Sequence, residues 1–241
     1  MCYIAQNSRN MKKLVCILLA AVFAFAAVSC KKDDPDENIP KGVDGVTPLP
    51  EAVDIGIISS GKTILWANFN LGASKETDYG DYYAWGETTT KQRYYSDTYT
   101  YSGNDVPAVI PADHDAAAVK LGDGWRIPTK AECALLAATL NDANYKWEYV
   151  SYGKQKHGIR ITYLVNGKSI FIPCGGQMDK EQLYQGASCL ASFWTSSRNG
   201  DSGIHFHAHW DSSSEKINAS AEYNSSRVFG LNIRPVKTLL E

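Results

Sequence analysis

Short segments in which hydrophobic and polar residues alternate recur along the chain and predict β-strands. The alternation at 53–57, a turn at 59–62 and an extended continuation over 64–71 predict one hairpin. A second hairpin is predicted over 158–172, because Asn166-Gly167 tolerates the positive φ angles of a two-residue type I′ turn. Further strands, separated by Asn, Gly and Ser turns, are predicted at 193–196, 204–210 and 228–236.

Two segments carry helical signals. Residues 113–121 are rich in Ala and stop at Gly122, which predicts a short helix with an Asp cap. Thr129 and Glu132 have the spacing of a capping box, and the leucines that follow form one apolar face, so a helix is predicted over 130–140. Helices in the first half and strands in the second predict one α+β domain with a mostly antiparallel, twisted sheet.

Residues 78–101 are dense in Tyr and show neither helical nor strand periodicity, which predicts a long structured loop. Two interpretations of the tyrosines stay open. The rings either pack the loop against itself or stack on sugars from an exposed position. The residues concerned are Tyr79, Tyr82, Tyr83, Tyr94, Tyr95, Tyr99 and Tyr101.

The longest apolar run, at 14–29, follows the basic pair Lys12-Lys13 and ends in small residues directly before Cys30. These are the three parts of a secretory signal. The run is too short for a comfortable membrane span of about 20 residues. The pattern therefore predicts export, with residues 1–29 removed and Met11 as an alternative start.

A cysteine directly after these small residues resembles the lipobox of bacterial lipoproteins. The resemblance implies that the Cys30 thiol is lipidated and that Cys30 becomes the mature N-terminus; an ordinary secretory signal is the alternative. The Lys-Asp-Asp sequence at 32–34 and its neighbour Lys31 resemble the surface-export signal of Bacteroidota lipoproteins. We therefore expect a protein anchored by lipid in the outer membrane and exposed at the cell surface, or else facing the periplasm.

The segment after Cys30 is rich in Asp, Pro and Gly and poor in aromatic residues, which is typical of a flexible linker. We expect a tether over 30–50 and one folded domain over 51–241. The net charge of −2 and the lack of a basic stripe argue against a nucleic-acid partner.

Three cysteines remain after the anchor. An odd number outside the cytoplasm allows at most one disulfide bond, and Cys174–Cys189 is the candidate pair. Cys133 lies in the predicted second helix and is interpreted as a small core residue.

The sharpest local signal is the strand predicted over 204–210. A two-residue period places three imidazoles on one face and Phe206, Ala208 and Trp210 on the other, which would pack on the core. The imidazoles then face solvent or a groove, with three open interpretations: solvated histidines, a metal-free ligand surface, or a metal site formed by His205, His207 and His209. The predicted ligand surface comprises His205, His207, His209, Trp210, Asp211 and Asn224.

Catalytic motifs are missing from the sequence. There is no Gly-x-Ser-x-Gly elbow, His-Glu-x-x-His pair, phosphate-binding loop or dinucleotide fingerprint. We therefore expect a protein that is not an enzyme, and no cofactor beyond the metal ion of the third interpretation.

Five segments, in order, resemble the Fibrobacter succinogenes major paralogous domain. They are 63–67, 79–87, 124–132, 193–197 and 230–236, and together they span the chain from about Val53 to Val236. The resemblance implies a C-type-lectin-like fold whose first and last strands pair, and a variable surface formed by the C-terminal half. The Glu-Pro-Asn and Trp-Asn-Asp motifs of calcium-dependent lectins are absent from this sequence. The residues that carry the resemblance, expected to be structural, include Trp66, Trp85, Trp125, Arg126, Pro128, Thr129, Glu132, Trp194 and Arg234.

Buried arginines need carboxylate or carbonyl partners, and Asp81 and Glu87 are the candidate partners of Arg126 and Arg234. The sequence as a whole favours a lipid-anchored surface protein with a non-catalytic binding module for a glycan or protein ligand. A structural component of a surface complex and a metal-dependent activity at the histidines are the alternatives.

Overall fold

The computed structural model of the chain describes residues 39–103, 106–152, 156–184 and 190–239. These residues form a sheet-rich α+β unit of antiparallel sheets and two α-helices. The predicted fold class is thereby confirmed at this coarse level. Among the described residues, no helix combines the length and apolar character needed to cross a bilayer. Cys30 and the predicted signal lie outside the described residues.

The predicted N-terminal hairpin is confirmed as β1 (Ala52–Ser59) and β2 (Lys62–Ala67). Ser60 and Gly61 form its turn with φ angles of 52° and 78°, as a type I′ turn requires. The last strand, β11 (Val236–Thr238), joins this sheet by pairing with β2. The expectation that the first and last strands pair with each other is therefore wrong, because β2 lies between them.

Both helices begin with the caps that the sequence predicts. In α1 (Ala116–Leu121) the carboxylate of Asp115 accepts hydrogen bonds from the amides of Ala117 and Ala118. In α2 (Lys130–Ala138) Thr129 and Glu132 form the reciprocal capping box. The predicted extension of α2 to residue 140 is a 3-10 turn, Thr139–Asn141.

The second sheet contains β3 (Tyr145–Tyr152), β4 (Lys156–Tyr163) and β5 (Ser169–Pro173). The β4–β5 hairpin is confirmed, but its turn is not the two-residue type I′ turn. The strands end at the Tyr163–Lys168 hydrogen bond, and of Asn166 and Gly167 only Gly167 has a positive φ. In this longer loop the side-chain amide of Asn166 donates to the carbonyl of Asp54 on β1, and its Oδ1 accepts from the amide of Lys168.

The third sheet has the order β10–β9–β8. β8 (Leu190–Asn199) and β9 (Ser202–Asp211) contain the two strands predicted there. β10 (Lys216–Ser226) was not predicted from the sequence. Helix α2 packs against β1, β8, β9 and β10. A short hairpin of β6 (Gln177–Asp179) and β7 (Gln182–Tyr184) lies apart from these sheets.

The strand predicted over 228–236 is only partly present. Gly230, Leu231 and Asn232 each form an isolated bridge to a different segment, and regular pairing begins only at Val236. This stretch is extended, but it connects Met178, Tyr83 and Phe193 instead of pairing with one neighbouring strand.

The compact unit reaches N-terminally to Ile39, and residues 39–50 of the predicted tether form contacts with it. Lys41 pairs with Pro48, and the amide of Asp44 donates to the carbonyl of Lys120 on α1. The Asp44 carboxylate accepts hydrogen bonds from Thr47, which is buried. These local bonds order a segment whose composition is typical of a linker.

The motif residues form the core, as expected. Trp66 meets Phe193 edge to face at 6.1 Å between ring centroids, in a cluster shared by the three large sheets and α2. A second cluster contains Trp85, Trp125 and Trp194 and lies under the tyrosine-rich loop. Cys133 is fully buried, as predicted for a core residue.

The two motif arginines have partners other than those predicted. Arg126 forms a bidentate pair with Glu132, at 2.8 and 2.5 Å. Arg234 is fully buried and donates to the carbonyl oxygens of Ala67 and Phe171, which lie in two different sheets. Burial lowers the pKa of Arg234 to about 9. Asp81 accepts instead from the Tyr83 hydroxyl, and Glu87 binds Lys91 at 2.6 Å.

Candidate functional site

Strand β9 separates the two predicted faces. Phe206 and Ala208 are fully buried on the core side, and Trp210 stacks on Tyr149 of β3 there, at 5.3 Å and 6° between ring planes. The imidazoles lie on the opposite face. The predicted alternation is therefore confirmed, and Trp210 lies on the core side, opposite the imidazoles.

His205 does not face solvent, in contrast to the prediction. It is 4% exposed and meets Trp194 edge to face. Its Nδ1 lies 3.1 Å from the Phe206 carbonyl oxygen, so Nδ1 carries the proton and donates it. Nε2 then accepts from the Ser225 hydroxyl at 3.2 Å. Both ring nitrogens are occupied, and His205 is a structural residue.

A close approach at Gly203 explains why β9 is covered near His205. A Cβ atom at Gly203 would lie 2.7 Å from the Trp194 ring and 2.8 Å from the Trp85 ring. Two indoles therefore cover the strand next to His205. Replacing Gly203 with alanine should lower the free energy of unfolding by about 1–3 kcal/mol through overpacking, as measured by urea denaturation. Alanine at Gly200 meets no atom within 4 Å but has a φ of +57°, so its loss reports backbone strain alone and is the comparison without overpacking.

His207 and His209 form a partly buried pair farther along β9. Their facing nitrogens, Nε2 of His207 and Nδ1 of His209, are 3.2 Å apart. Tyr223 of β10 stacks on the His207 ring at 4.1 Å. Asn218, also on β10, places its amide nitrogen 3.4 Å from Nε2 of His209. These four side chains form what we call the histidine face.

Burial keeps the buried imidazoles neutral. Desolvation lowers the pKa of His205 to about 4, against a weak opposing effect of its bond to Phe206. Desolvation also lowers the pKa of His207 to about 4, with additional repulsion from His205 and His209. Both rings are therefore uncharged at neutral pH.

The remaining predicted surface residues do not join this face. Asp211 accepts hydrogen bonds from Ser213 and Ser214, which form the turn into β10 and lower the pKa of its carboxyl group. Asn224 pairs with Ile204, on the other side of the sheet, and its amide donates to the carbonyl of Glu222. Of the six predicted residues, Trp210 and Asn224 therefore lie on the other side of the sheet, and the Asp211 carboxylate is occupied by the turn.

The predicted set of three metal ligands loses His205, which leaves His207 and His209. His205 and His207 have ring centroids 6.1 Å apart, and both nitrogens of His205 are occupied. Within the described ranges, no group of three or more His, Cys, Asp or Glu side chains is close enough to hold a metal ion.

The tyrosine-rich loop is packed mainly by its own rings. Tyr83, Tyr94 and Tyr99 are buried, and the hydroxyls of Tyr94 and Tyr99 donate to the carbonyl oxygens of Tyr82 and Trp85. Burial raises the pKa of Tyr94 to about 12. Tyr95 is the exception, because it lines a groove.

That groove, of ≈ 520 Å³, lies between Tyr95 and the β6–β7 hairpin. The hairpin is held from behind: Met178 packs in the cluster with Tyr94 and exchanges two backbone hydrogen bonds with Gly230. The pairing of β6 with β7 places four side chains on the other face, which we call the hairpin face. They are Gln177, Asp179, Gln182 and Tyr184.

The hairpin face has free hydrogen-bonding capacity. Within the described part of the chain, Gln177, Asp179 and Gln182 form no side-chain hydrogen bond or ion pair. Tyr184 is 58% exposed. The rim carries an ion pair, because Arg93 binds Glu181 at 3.2 Å and covers the Tyr95 ring at 4.8 Å. Only the tyrosine content hinted at this site, since nothing in the sequence signalled the two three-residue strands.

A second groove, of ≈ 680 Å³, lies at the edge of the first sheet. Lys237 spans it, binding Asp123 at 3.0 Å and lying over the Trp125 ring. The histidine face lines neither groove.

The described cysteines show no reactive thiolate. Burial raises the pKa of the Cys133 thiol well above its usual range. Cys174 is disulfide-bonded. Cys189, the second member of the predicted bridge, lies outside the described residues.

Comparisons with known proteins give no assignment for this fold and these sites: no protein-family model, curated protein or solved structure matches the chain.

Proposed function

We propose that this protein is a lipid-anchored outer-membrane protein whose domain binds glycans without catalysing a reaction. The observation that carries the proposal is the hairpin face, where a carboxylate and two amides without partners lie beside an exposed phenol ring. Sugars present the complementary chemistry, with apolar ring faces for stacking and vicinal hydroxyls for hydrogen bonds.

The hydrogen-bonding groups suit hydroxyl pairs in particular. Asp179 accepts from two hydroxyls, and each glutamine amide both donates and accepts. Bonds to the charged carboxylate are the strongest of these, at about 1.5–3 kcal/mol each. The short hairpin is held from behind by Met178 and Gly230, so the backbone that carries these groups is already ordered before a ligand binds.

The anchor belongs to the same proposal. Lipidation at Cys30 would hold the domain at the membrane surface, where it meets external glycans. The surface location rests on the charged residues after Cys30, and a periplasm-facing location is the alternative. We also propose that the domain is a member of the Fibrobacter succinogenes major paralogous group with a C-type-lectin-like fold. The burial of Trp66, Trp85 and Trp194 within its motifs supports this assignment.

The proposal is tested by screening the purified full chain on a glycan array and measuring the affinity of the best ligand by calorimetry. We expect Tyr184→Ala and Asp179→Ala each to weaken binding by about tenfold, which corresponds to about 1.4 kcal/mol. Tyr223→Ala is the matched control, because Tyr223 is an exposed tyrosine of the histidine face.

Unchanged affinity in both groove variants contradicts the groove as the binding site. If only Tyr223→Ala loses affinity for the glycan, the ligand binds at the histidine face and not in the groove. If no glycan on the array binds and a captured protein binds only when Tyr184 is present, the ligand of the groove is a protein and the glycan proposal is wrong.

A further inference from the structure

His207 and His209 present two facing nitrogens on the accessible part of the histidine face, a feature that glycan binding at the groove does not use. Nε2 of His207 lies 3.2 Å from Nδ1 of His209. Two imidazole nitrogens bound to one tetrahedral ion, each at about 2.0–2.1 Å, lie about 3.3 Å apart. We propose that this pair binds one divalent transition-metal ion, of the class of Cu²⁺, Ni²⁺ and Zn²⁺.

Neighbouring side chains contact both rings and restrict their rotation. Tyr223 stacks on His207 with 20° between the ring planes. Asn218 reaches the second nitrogen of His209, at 3.4 Å. If the Asn218 amide turns by 180°, its oxygen replaces its nitrogen and accepts a proton from Nε2 of His209. Metal-bound histidines commonly donate their second N–H in this way.

The protons balance without release from the pair. Coordination uses the neutral form of an imidazole, which carries one proton, and it needs the tautomer with this proton on Nδ1 of His207 and on Nε2 of His209. In the metal-free protein, one of the facing nitrogens donates to the other. The ion replaces that single hydrogen bond with two coordinate bonds.

The site offers two protein ligands and remains open. The positions that flank His207 across the sheet are Ser192 and Ser220, and those that flank His209 are Leu190 and Asn218. None of these is an imidazole or a thiolate. Water or a ligand from outside must complete the coordination, so the site exchanges its ion readily. Among the three ions, Cu²⁺ is expected to bind most tightly.

The test is calorimetric titration of the purified full chain, without a histidine tag, with CuCl₂, NiCl₂ and ZnCl₂. We expect one saturable site for Cu²⁺, with an electron paramagnetic resonance signal that shows nitrogen coordination. His207→Gln and His209→Gln should each abolish saturable binding. Asn218→Ala should weaken it by about tenfold, as for other residues that orient metal-bound histidines.

His114→Gln is the control, because this histidine stacks on Tyr101 outside the sheet. Circular dichroism shows whether each variant remains folded. Absence of saturable binding overturns the proposal, and so does a signal that survives in both folded variants of the pair. Tyr184→Ala should bind Cu²⁺ like the original protein, so the metal site and the glycan site fail independently.

Discussion

Replacing Arg126 with methionine is expected to lower the free energy of unfolding by about 3 kcal/mol at neutral pH. The side chain of Glu132 is only 4% exposed, whereas that of Arg126 is 31% exposed. Removal of the arginine therefore leaves a buried carboxylate without its bidentate partner. Urea denaturation monitored by tryptophan fluorescence measures the loss.

The loss should shrink at low pH. Burial raises the pKa of Glu132, but the bonds to Arg126 and Thr129 outweigh it and lower the pKa below its usual value. Without Arg126, burial dominates and the folded pKa rises, so the destabilisation is full when the carboxyl group is charged and fades as it protonates. Arg93→Met, in an ion pair exposed by more than half on both sides, is the control and should cost less than about 1 kcal/mol. Equal losses in the two variants contradict a special role for the Arg126–Glu132 pair.

This pair also shows which features the sequence could predict. The capping box at Thr129 and Glu132 was predicted because its partners are three residues apart and its geometry is local. The partner of Arg234 was not predicted, because the carbonyl oxygens of Ala67 and Phe171 are far away in sequence. Every residue has a backbone carbonyl, so the residue type does not indicate which carbonyl accepts from an arginine.

The missed strand β10 has a different cause. Its residues at 218–226 are Asn, Ala, Ser, Glu and Tyr, with little of the apolar alternation that marks a half-buried strand. It is held by pairing with β9 and by packing of its small residues against α2. Tyr223 and Asn218 lie on this strand, so half of the histidine face could not be predicted.

The alternation in β9 was predicted, but the burial of its polar face was not. A two-residue period assigns each side chain to one side of the sheet. Whether that side is exposed to water depends on the side chains that pack over it. Trp194 of the neighbouring strand meets His205 edge to face, and Trp85, from the tyrosine-rich loop, packs against Gly203 beside it. The β6–β7 hairpin was also not predicted, because it depends on a contact between residues distant in sequence. Met178 and Gly230 exchange two backbone hydrogen bonds there.

Acidification is expected to destabilise the fold through His205. Its pKa falls from the ordinary value of 6.5 to about 4 in the folded protein, because burial penalises the charged ring. The unfolded chain therefore binds more protons between these values, and stability decreases as the pH falls. The shift of 6.5 minus 4 corresponds to about 3 kcal/mol, present in full above pH 6.5 and lost near pH 4.

The measurement compares urea denaturation of the original protein and His205→Gln from pH 7 to pH 4. The variant loses packing at every pH, but its glutamine does not titrate. The difference in unfolding free energy should therefore narrow by about 3 kcal/mol across the series. His207, which is less buried, should add a smaller effect of the same sign.

Carboxyl groups also titrate in this range, so the slope of a single protein is not diagnostic. Asn224→Ala supplies the reference, because Asn224 is an exposed side chain on the other side of the sheet. Its curve should run parallel to that of the original protein. If the His205→Gln curve also runs parallel, protonation of His205 is not linked to unfolding, and this result contradicts a neutral, doubly hydrogen-bonded His205 ring in the folded protein. If the difference in unfolding free energy narrows instead, His205 is a buried, neutral structural residue. Only His207 and His209 of the three β9 histidines then remain available to a ligand.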